Sequence, residues 1–156
     1  MNTTPTREIR GVLISVSGGR LLLPNASVSE VITMSSPEPV ENSPEWMLGT
    51  VNWRGWKVPL ISFPHLVGWS EPSHALNSRV AIIKALGGNP RMPFIAIVTQ
   101  GFPRLTALSE DVIVASTDGE PAPEGISAQV MVRDDDACIP DLAAIEARVA
   151  AAIGVA

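Results

Sequence analysis

The sequence predicts a mainly β fold made of two similar halves, followed by one helix at the C-terminus. Short runs of β-forming residues alternate with glycine-containing turns, which is the pattern of successive hairpins. The order of runs and turns in the first half recurs in the second half, where the long hairpin returns 79 positions later. A stretch near the C-terminus instead carries apolar residues at spacings of three and four, which is the period of a helix.

The chain is predicted to begin with a loose polar tail and then a first hairpin. Residues 1–7 are polar and have no apolar core, so they do not resemble a signal peptide. Residues 9–17 are mostly β-formers. The turn Ser17-Gly18-Gly19-Arg20 then leads into a second short strand at residues 21–23.

A helical turn, a third strand and a loop are expected next. Asn25 can cap a helical turn over residues 25–29, because its side chain accepts hydrogen bonds from free backbone donors. The apolar residues of the segment 28–32 predict a strand. Three prolines then predict a loop that cannot join a sheet, since proline lacks a backbone N–H. These are Pro37, Pro39 and Pro44.

A second hairpin is the most informative feature of the first half. Two β-rich runs, residues 48–53 and 56–63, are joined by the pair Arg54-Gly55, and glycine permits the positive φ of a tight turn. Arg54 is therefore predicted at the tip, between Trp53 and Trp56. Arginine and tryptophan are enriched where proteins bind other proteins, so the tip is a candidate recognition surface.

The second half is predicted to repeat the first after a polar connection at residues 69–77. Runs at 80–86 and 92–98 flank a double glycine, as the strands of the first hairpin do. Residues 130–142 then repeat the long hairpin and the helical turn expected at 63–67. An internal duplication explains this order, and each half alone would be a marginal five-stranded unit, so the halves are expected to pack together. With a shift of 79, Arg54 falls on Arg133, Ser62 on Asp141 and Phe63 on Leu142.

The C-terminal segment, residues 141–153, predicts an amphipathic helix. Alanines of high helix propensity separate the apolar positions, and the apolar stripe is expected to dock on the β-structure. Pro140 can occupy the start of the helix and Gly154 can end it. The stripe consists of Leu142, Ile145, Val149 and Ile153.

Composition excludes several classes of function. The formal net charge is −5 and no basic stripe is present, so binding to nucleic acid is not expected. The single cysteine, Cys138, rules out an internal disulfide and lies in an apolar run, which predicts a buried thiol. No apolar run approaches the roughly 20 residues of a membrane span. The protein is therefore expected to be cytoplasmic, without direct membrane insertion, and to reach membranes only through a partner.

Several segments of the first half occur in an order that is characteristic of one family. Residues 49–59 carry the pattern G-x-x-N-x-R-G-x-x-x-P, and the strand at 21–24 and the segment V-x-E-V-I at 28–32 precede it. Together they resemble the CheW-like domain family. The resemblance is dense over residues 11–68 and thinner in the second half, and Ser62 stands where members usually have an aspartate. The signature residues are Gly49, Val51, Asn52, Arg54, Gly55, Val58 and Pro59.

The resemblance implies a fold and a function. It implies a single CheW-like domain over residues 8–156, built from two pseudo-symmetric, five-stranded SH3-like β-barrels with a groove between them. The barrels would span residues 8–68 and 78–140, with a linker at 69–77 and the helix at 141–153. The family implies a non-catalytic adaptor that couples the cytoplasmic tip of a chemoreceptor to the regulatory domain of a CheA-like histidine kinase, in chemotaxis or pilus-type signalling. No cofactor and no metal are implied.

The resemblance also indicates protein-binding residues. Arg54 is the expected contact to receptor or kinase, with Gly49 and Gly55 in the signature around it. Asn52 is predicted to support the turn through hydrogen bonds to its backbone. Trp53 is expected to be largely buried and Trp56 substantially exposed. Val28 and Glu30 are further candidates for a partner contact.

Other interpretations remain open at this point. A small-molecule binder or an enzyme on the same two-barrel frame would need an enclosed polar pocket, and a one-sided capping module would bind only one of the two partners. No phosphate loop, nucleophile elbow or zinc motif is present. The triplet Asp134-Asp135-Asp136 fits a solvated hairpin tip better than a metal site, because adjacent carboxylates point in different directions.

Overall fold

The computed structural model describes residues 9–16, 18–69, 78–108, 113–115, 125–132 and 135–154. The predicted tail at 1–7 and most of the predicted connection at 69–77 lie outside these residues. The strands are β1 (Ile9–Val16), β2 (Gly19–Pro24), β3 (Val28–Thr33), β4 (Met47–Trp53), β5 (Trp56–Ile61), β6 (Ser78–Lys84), β7 (Phe94–Gln100), β8 (Arg104–Leu108), β9 (Ile113–Ala115), β10 (Ile126–Val132) and β11 (Asp135–Pro140), and the helices are α1 (Phe63–Leu66) and α2 (Leu142–Ile153).

The described strands form two sheets, and each sheet draws strands from both halves of the sequence. The order is β8-β1-β2-β11-β10-β9 in the first sheet and β3-β6-β7-β5-β4 in the second. The hairpin that opens each half is thus inserted between strands of the other half. The predicted division into residues 8–68 and 78–140 therefore describes the sequence repeat and does not separate the two sheets. The mainly β fold with a C-terminal helix is confirmed, and closure of the sheets into barrels stays a prediction.

The internal repeat is visible in the element boundaries. A shift of 79 moves the bounds of β4 onto β10 and those of β5 onto β11. The same shift relates the two helix caps: Ser62 accepts a hydrogen bond from the backbone N–H of His65, and Asp141 accepts one from Ala144. Serine and aspartate both serve as N-caps, because each places a side-chain oxygen beside the free donors of the first turn.

Three local predictions were wrong. Asn25 does not cap the first helical turn, because it lies inside a 3-10 turn over Asn25–Ser27 whose capping position is Pro24. Pro140 does not start α2, since it ends β11 and leaves the cap to Asp141. The proline-bearing loop does pair with a strand at one point, where Glu38 exchanges two backbone hydrogen bonds with Thr50. Glu38 lies between two prolines and supplies the donor that they lack.

The C-terminal helix packs, as its periodicity predicts, on the larger core, the hydrophobic cluster to which β1, β2, β6 and β7 also contribute. Leu142, Ile145 and Val149 are buried in that core, and Gly154 ends the helix with a φ of 77°. Arg148 lies over the ring of Trp46, with its Cζ 5.2 Å from the ring centroid. None of the helices in the described part of the chain is both long and apolar enough to cross a membrane.

Candidate protein-binding surface

The tip of the β4–β5 hairpin is formed by two residues with positive φ. Arg54 has a φ of 47° and Gly55 a φ of 83°, and positive φ at both central positions is what a type I′ turn requires. Glycine adopts this conformation freely, but in arginine it places Cβ close to the backbone. The turn therefore holds Arg54 in an unfavourable backbone conformation at the tip of the hairpin.

The Arg54 side chain projects from this turn and is 70% exposed, so it is accessible to a partner. Its Nη2 lies 3.9 Å from Oε2 of Glu30, and its Cζ lies 4.8 Å from the centroid of the Trp53 ring. A guanidinium over an indole face is attracted by the ring quadrupole. These two contacts orient the side chain without burying it.

Glu30 contacts both Arg54 and Trp53 at the hairpin tip. Its Oε2 also accepts a hydrogen bond from the indole Nε1–H of Trp53. Glu30 lies on β3 and Trp53 on β4, which are the two outer strands of the five-stranded sheet. The carboxylate therefore joins the two edges of the sheet and at the same time faces Arg54.

An aromatic cluster forms the base of the surface. Trp53 is 8% exposed and Trp56 is 43% exposed, so both predictions about their burial are confirmed. Phe94, at the start of β7, contacts both indoles edge-on, with centroid distances of 4.8 Å to Trp53 and 6.3 Å to Trp56. Phe94 was not predicted from the sequence, because it lies in the other half of the chain and in no recognisable motif.

Gly49 has a structural reason for being glycine. Its φ is 142°, and a Cβ at this position would lie 2.4 Å from the carbonyl oxygen of Glu38. This close approach allows Glu38 to pair with Thr50 along the outer edge of β4. Gly49 thus shapes the hairpin that presents Arg54, and it offers no side chain to a partner.

Asn52 and Val28 are the remaining candidates, on β4 and β3 respectively. Asn52 is exposed on β4 opposite Lys57. Among the described residues its side chain makes no hydrogen bond to the turn backbone, so the predicted support of the turn through that amide is absent. Val28 is half-buried at the start of β3 and packs against the larger core. Val28 thus faces the core, whereas Glu30, two residues along β3, contacts Arg54 and Trp53.

Asp135 and Cys138 lie on β11, and Asp134 is outside the described residues. Asp135 is the first residue of β11 instead of a tip residue, and its carboxylate lies 2.5 Å from Nη2 of Arg104 and 3.9 Å from Nη1 of Arg20. Within the described ranges, no group of three or more His, Cys, Asp or Glu residues could hold a metal ion. Cys138 is buried, and desolvation raises the pKa of its thiol to about 12.

Comparisons with known proteins agree with this architecture. The sequence profile of the CheW-like domain matches residues 10–149. A search among proteins of curated function found no significant sequence match. In structure, the chain is similar to the scaffolding protein TtCheW from Thermoanaerobacter tengcongensis, with a TM-score of 0.72 and 18% sequence identity over 91% of this chain and 90% of that one. Because the profile covers most of its length, the chain belongs to the CheW-like domain family.

Proposed function

We propose that this protein is a non-catalytic scaffold that couples a chemoreceptor to a CheA-like histidine kinase in a chemotaxis or pilus-type chemosensory pathway. The observation that carries the proposal is the exposed guanidinium of Arg54, set on the family's signature hairpin in a chain that matches the family over residues 10–149. The structural neighbour named above is itself described as a scaffolding protein. The protein would act in the cytoplasm and reach the membrane through its receptor.

The surface around Arg54 has the chemistry of a protein-binding site. A guanidinium with 70% of its side chain exposed can form paired hydrogen bonds with a partner carboxylate. The exposed part of Trp56 offers apolar area and an indole N–H beside it. We assign the contacts themselves to Arg54 and Trp56.

The other candidate residues support or flank those contacts. Glu30 and Trp53 orient the arginine, while Gly49 and Gly55 give the hairpin its shape. Asn52 and Val28 remain candidates for the edge of the interface, where a partner that covers β3 and β4 would reach them. In this scheme the signal passes as a change in packing at the two partner contacts.

The proposal is tested by a charge reversal at the tip. Arg54→Glu places a carboxylate beside Glu30 and beside any acidic partner group, so binding to at least one partner should weaken by tenfold or more, a loss typical of an interface hot spot. Binding is measured by calorimetry with the kinase regulatory domain and with a soluble fragment of the receptor tip, each titrated separately. Arg10→Glu is the matched control, because Arg10 is also exposed and lies on β1 of the other sheet.

The outcomes separate the possible roles. A coupler binds both the kinase domain and the receptor fragment, whereas a capping module binds only one of them. The site assignment is wrong if Arg54→Glu binds both partners as tightly as the native protein does. It is also wrong if Arg10→Glu weakens binding equally, since the effect would then be one of net charge.

A further inference from the structure

A cavity outside the Arg54 surface lies between α2 and the loop that joins β6 to β7. Its volume is about 300 Å³, at the lower end of the range for small-molecule sites. One face of α2 supplies residues at positions i, i+3, i+4 and i+7, which share a side of a helix. Most of the lining is apolar. It consists of Ala85, Gly87, Asn89, Met92, Ala143, Glu146, Ala147 and Ala150.

Glu146 is the one carboxylate among the described residues that line this cavity, and its side chain is almost fully enclosed. The residue is 5% exposed, and its Oε1 accepts a hydrogen bond from the backbone N–H of Leu86 in the facing loop. Its Oε2 lies 3.0 Å from where a Cβ on Gly87 would be. Glycine at that position therefore leaves room for the second carboxylate oxygen at the cavity wall.

The ion pairs of the described residues do not include Glu146. Burying a charged group is unfavourable unless it is paired and hydrogen-bonded. The backbone N–H of Leu86 bonds to Oε1, and Oε2 at the cavity wall is the oxygen to which a cation in the cavity would bind.

We infer that this cavity binds a primary alkylammonium group carried on a short apolar chain, with the ammonium on Oε2 of Glu146 and the chain against the alanines and Met92. An ammonium offers three donors to a carboxylate. The small side chains at 143, 147 and 150 leave space for methylene groups, whose burial is favourable. The site is separate from the proposed scaffold contacts and does not depend on them.

The test is an amide-shift NMR titration of the whole protein with n-butylammonium chloride, at an ionic strength held constant with NaCl. Saturable shifts are expected at Leu86, Gly87 and Ala147. Glu146→Gln keeps an oxygen that can accept from Leu86 but removes the charge, so it should bind at least tenfold more weakly. Ala147→Met fills the cavity mouth and should also abolish the shifts. Native-like urea midpoints for both variants show that the fold is intact.

Matched probes define the chemistry. n-Butanol has the same chain without the charge and should give no saturable shifts at these amides. A blocked Gly-Lys-Gly peptide shows whether the ammonium can be a lysine side chain, and shifts with butylammonium alone assign the site to free amines. The inference is overturned if butylammonium gives no saturable shifts, if Glu146→Gln titrates like the native protein, or if butanol binds equally well.

Discussion

The indole N–H of Trp53 donates a hydrogen bond to Glu30, and this bond connects the two outer strands of the five-stranded sheet. The accepting oxygen also lies 3.9 Å from the guanidinium of Arg54. One carboxylate thus fixes the distance between β3 and β4 and orients the side chain at the hairpin tip. Glu30 is for this reason a positioning residue for Arg54, whatever it contacts in a complex.

The first prediction concerns the strength of this connection. Trp53→Phe keeps an aromatic ring against Phe94 but removes the donor to Glu30, so the free energy of unfolding should fall by about 1 kcal/mol or somewhat more. The loss is limited because the Glu30 side chain is 42% exposed and water can replace the donor. Urea unfolding of Trp53→Phe, Glu30→Ala and the double variant gives the coupling energy between the two residues.

The control for this cycle is Trp56→Phe. Trp56 contacts the same phenylalanine from an exposed position, so its replacement should change the stability by no more than about 0.5 kcal/mol. A coupling energy near zero between positions 53 and 30 would show that the hydrogen bond does not hold the sheet edges together.

The second prediction compares two glycines of the same hairpin. Gly49→Ala combines a φ of 142° with a Cβ 2.4 Å from the carbonyl oxygen of Glu38, and it should destabilise the protein by more than about 2 kcal/mol. Gly55→Ala also has a positive φ, but nothing lies within 4 Å of its Cβ, so backbone strain alone should cost about 1 kcal/mol. Urea unfolding of both variants should give this order, and equal losses would mean that the contact with Glu38 relaxes freely.

Local patterns in the sequence were sufficient to predict the hairpins and the C-terminal helix. The pair Arg54-Gly55 and the spacing of Leu142, Ile145 and Val149 each determine a structure within a few residues. The exchange of hairpins between the halves was not predicted, because local patterns do not say which strand edges meet across long sequence distances. Phe94 was missed for the same reason, since only the parallel pairing of β5 with β7 brings it to the indoles.

The surface around Arg54, like the fold, could be predicted in part from the sequence. The signature residues indicated where the tip would be, and the structure adds how it is held, through Glu30 and Trp53. The role of Gly49 also needed the structure, because its close contact is to Glu38, eleven residues away in an irregular loop. The equivalence of Ser62 and Asp141, in contrast, followed from the 79-residue shift alone.

The third prediction uses that equivalence. Asp141→Ala removes the acceptor for the N–H of Ala144, 3.1 Å away, and should destabilise the protein by about 1 kcal/mol. Ser62→Ala removes the corresponding bond to His65, which is longer at 3.4 Å and begins a helix of only four residues, so its loss should be smaller. Urea unfolding measures both, and a larger loss at Ser62 would contradict the argument from cap geometry.

The last prediction concerns Cys138 and pH. Burial raises the pKa of its thiol from 9.0 to about 12, so the folded protein holds this proton more tightly than the unfolded chain does. The contribution of the thiol to stability is therefore complete below about pH 9 and declines as the pH rises from 9 towards 12. Between pH 8.5 and 10.5, unfolding free energies should fall more steeply for the native protein than for Cys138→Ala.

At pH 9, iodoacetamide should alkylate the native thiol far more slowly than the thiol of the urea-unfolded chain, because the thiolate is the reactive form. Equal alkylation rates would show that the strand carrying Cys138 opens readily to solvent.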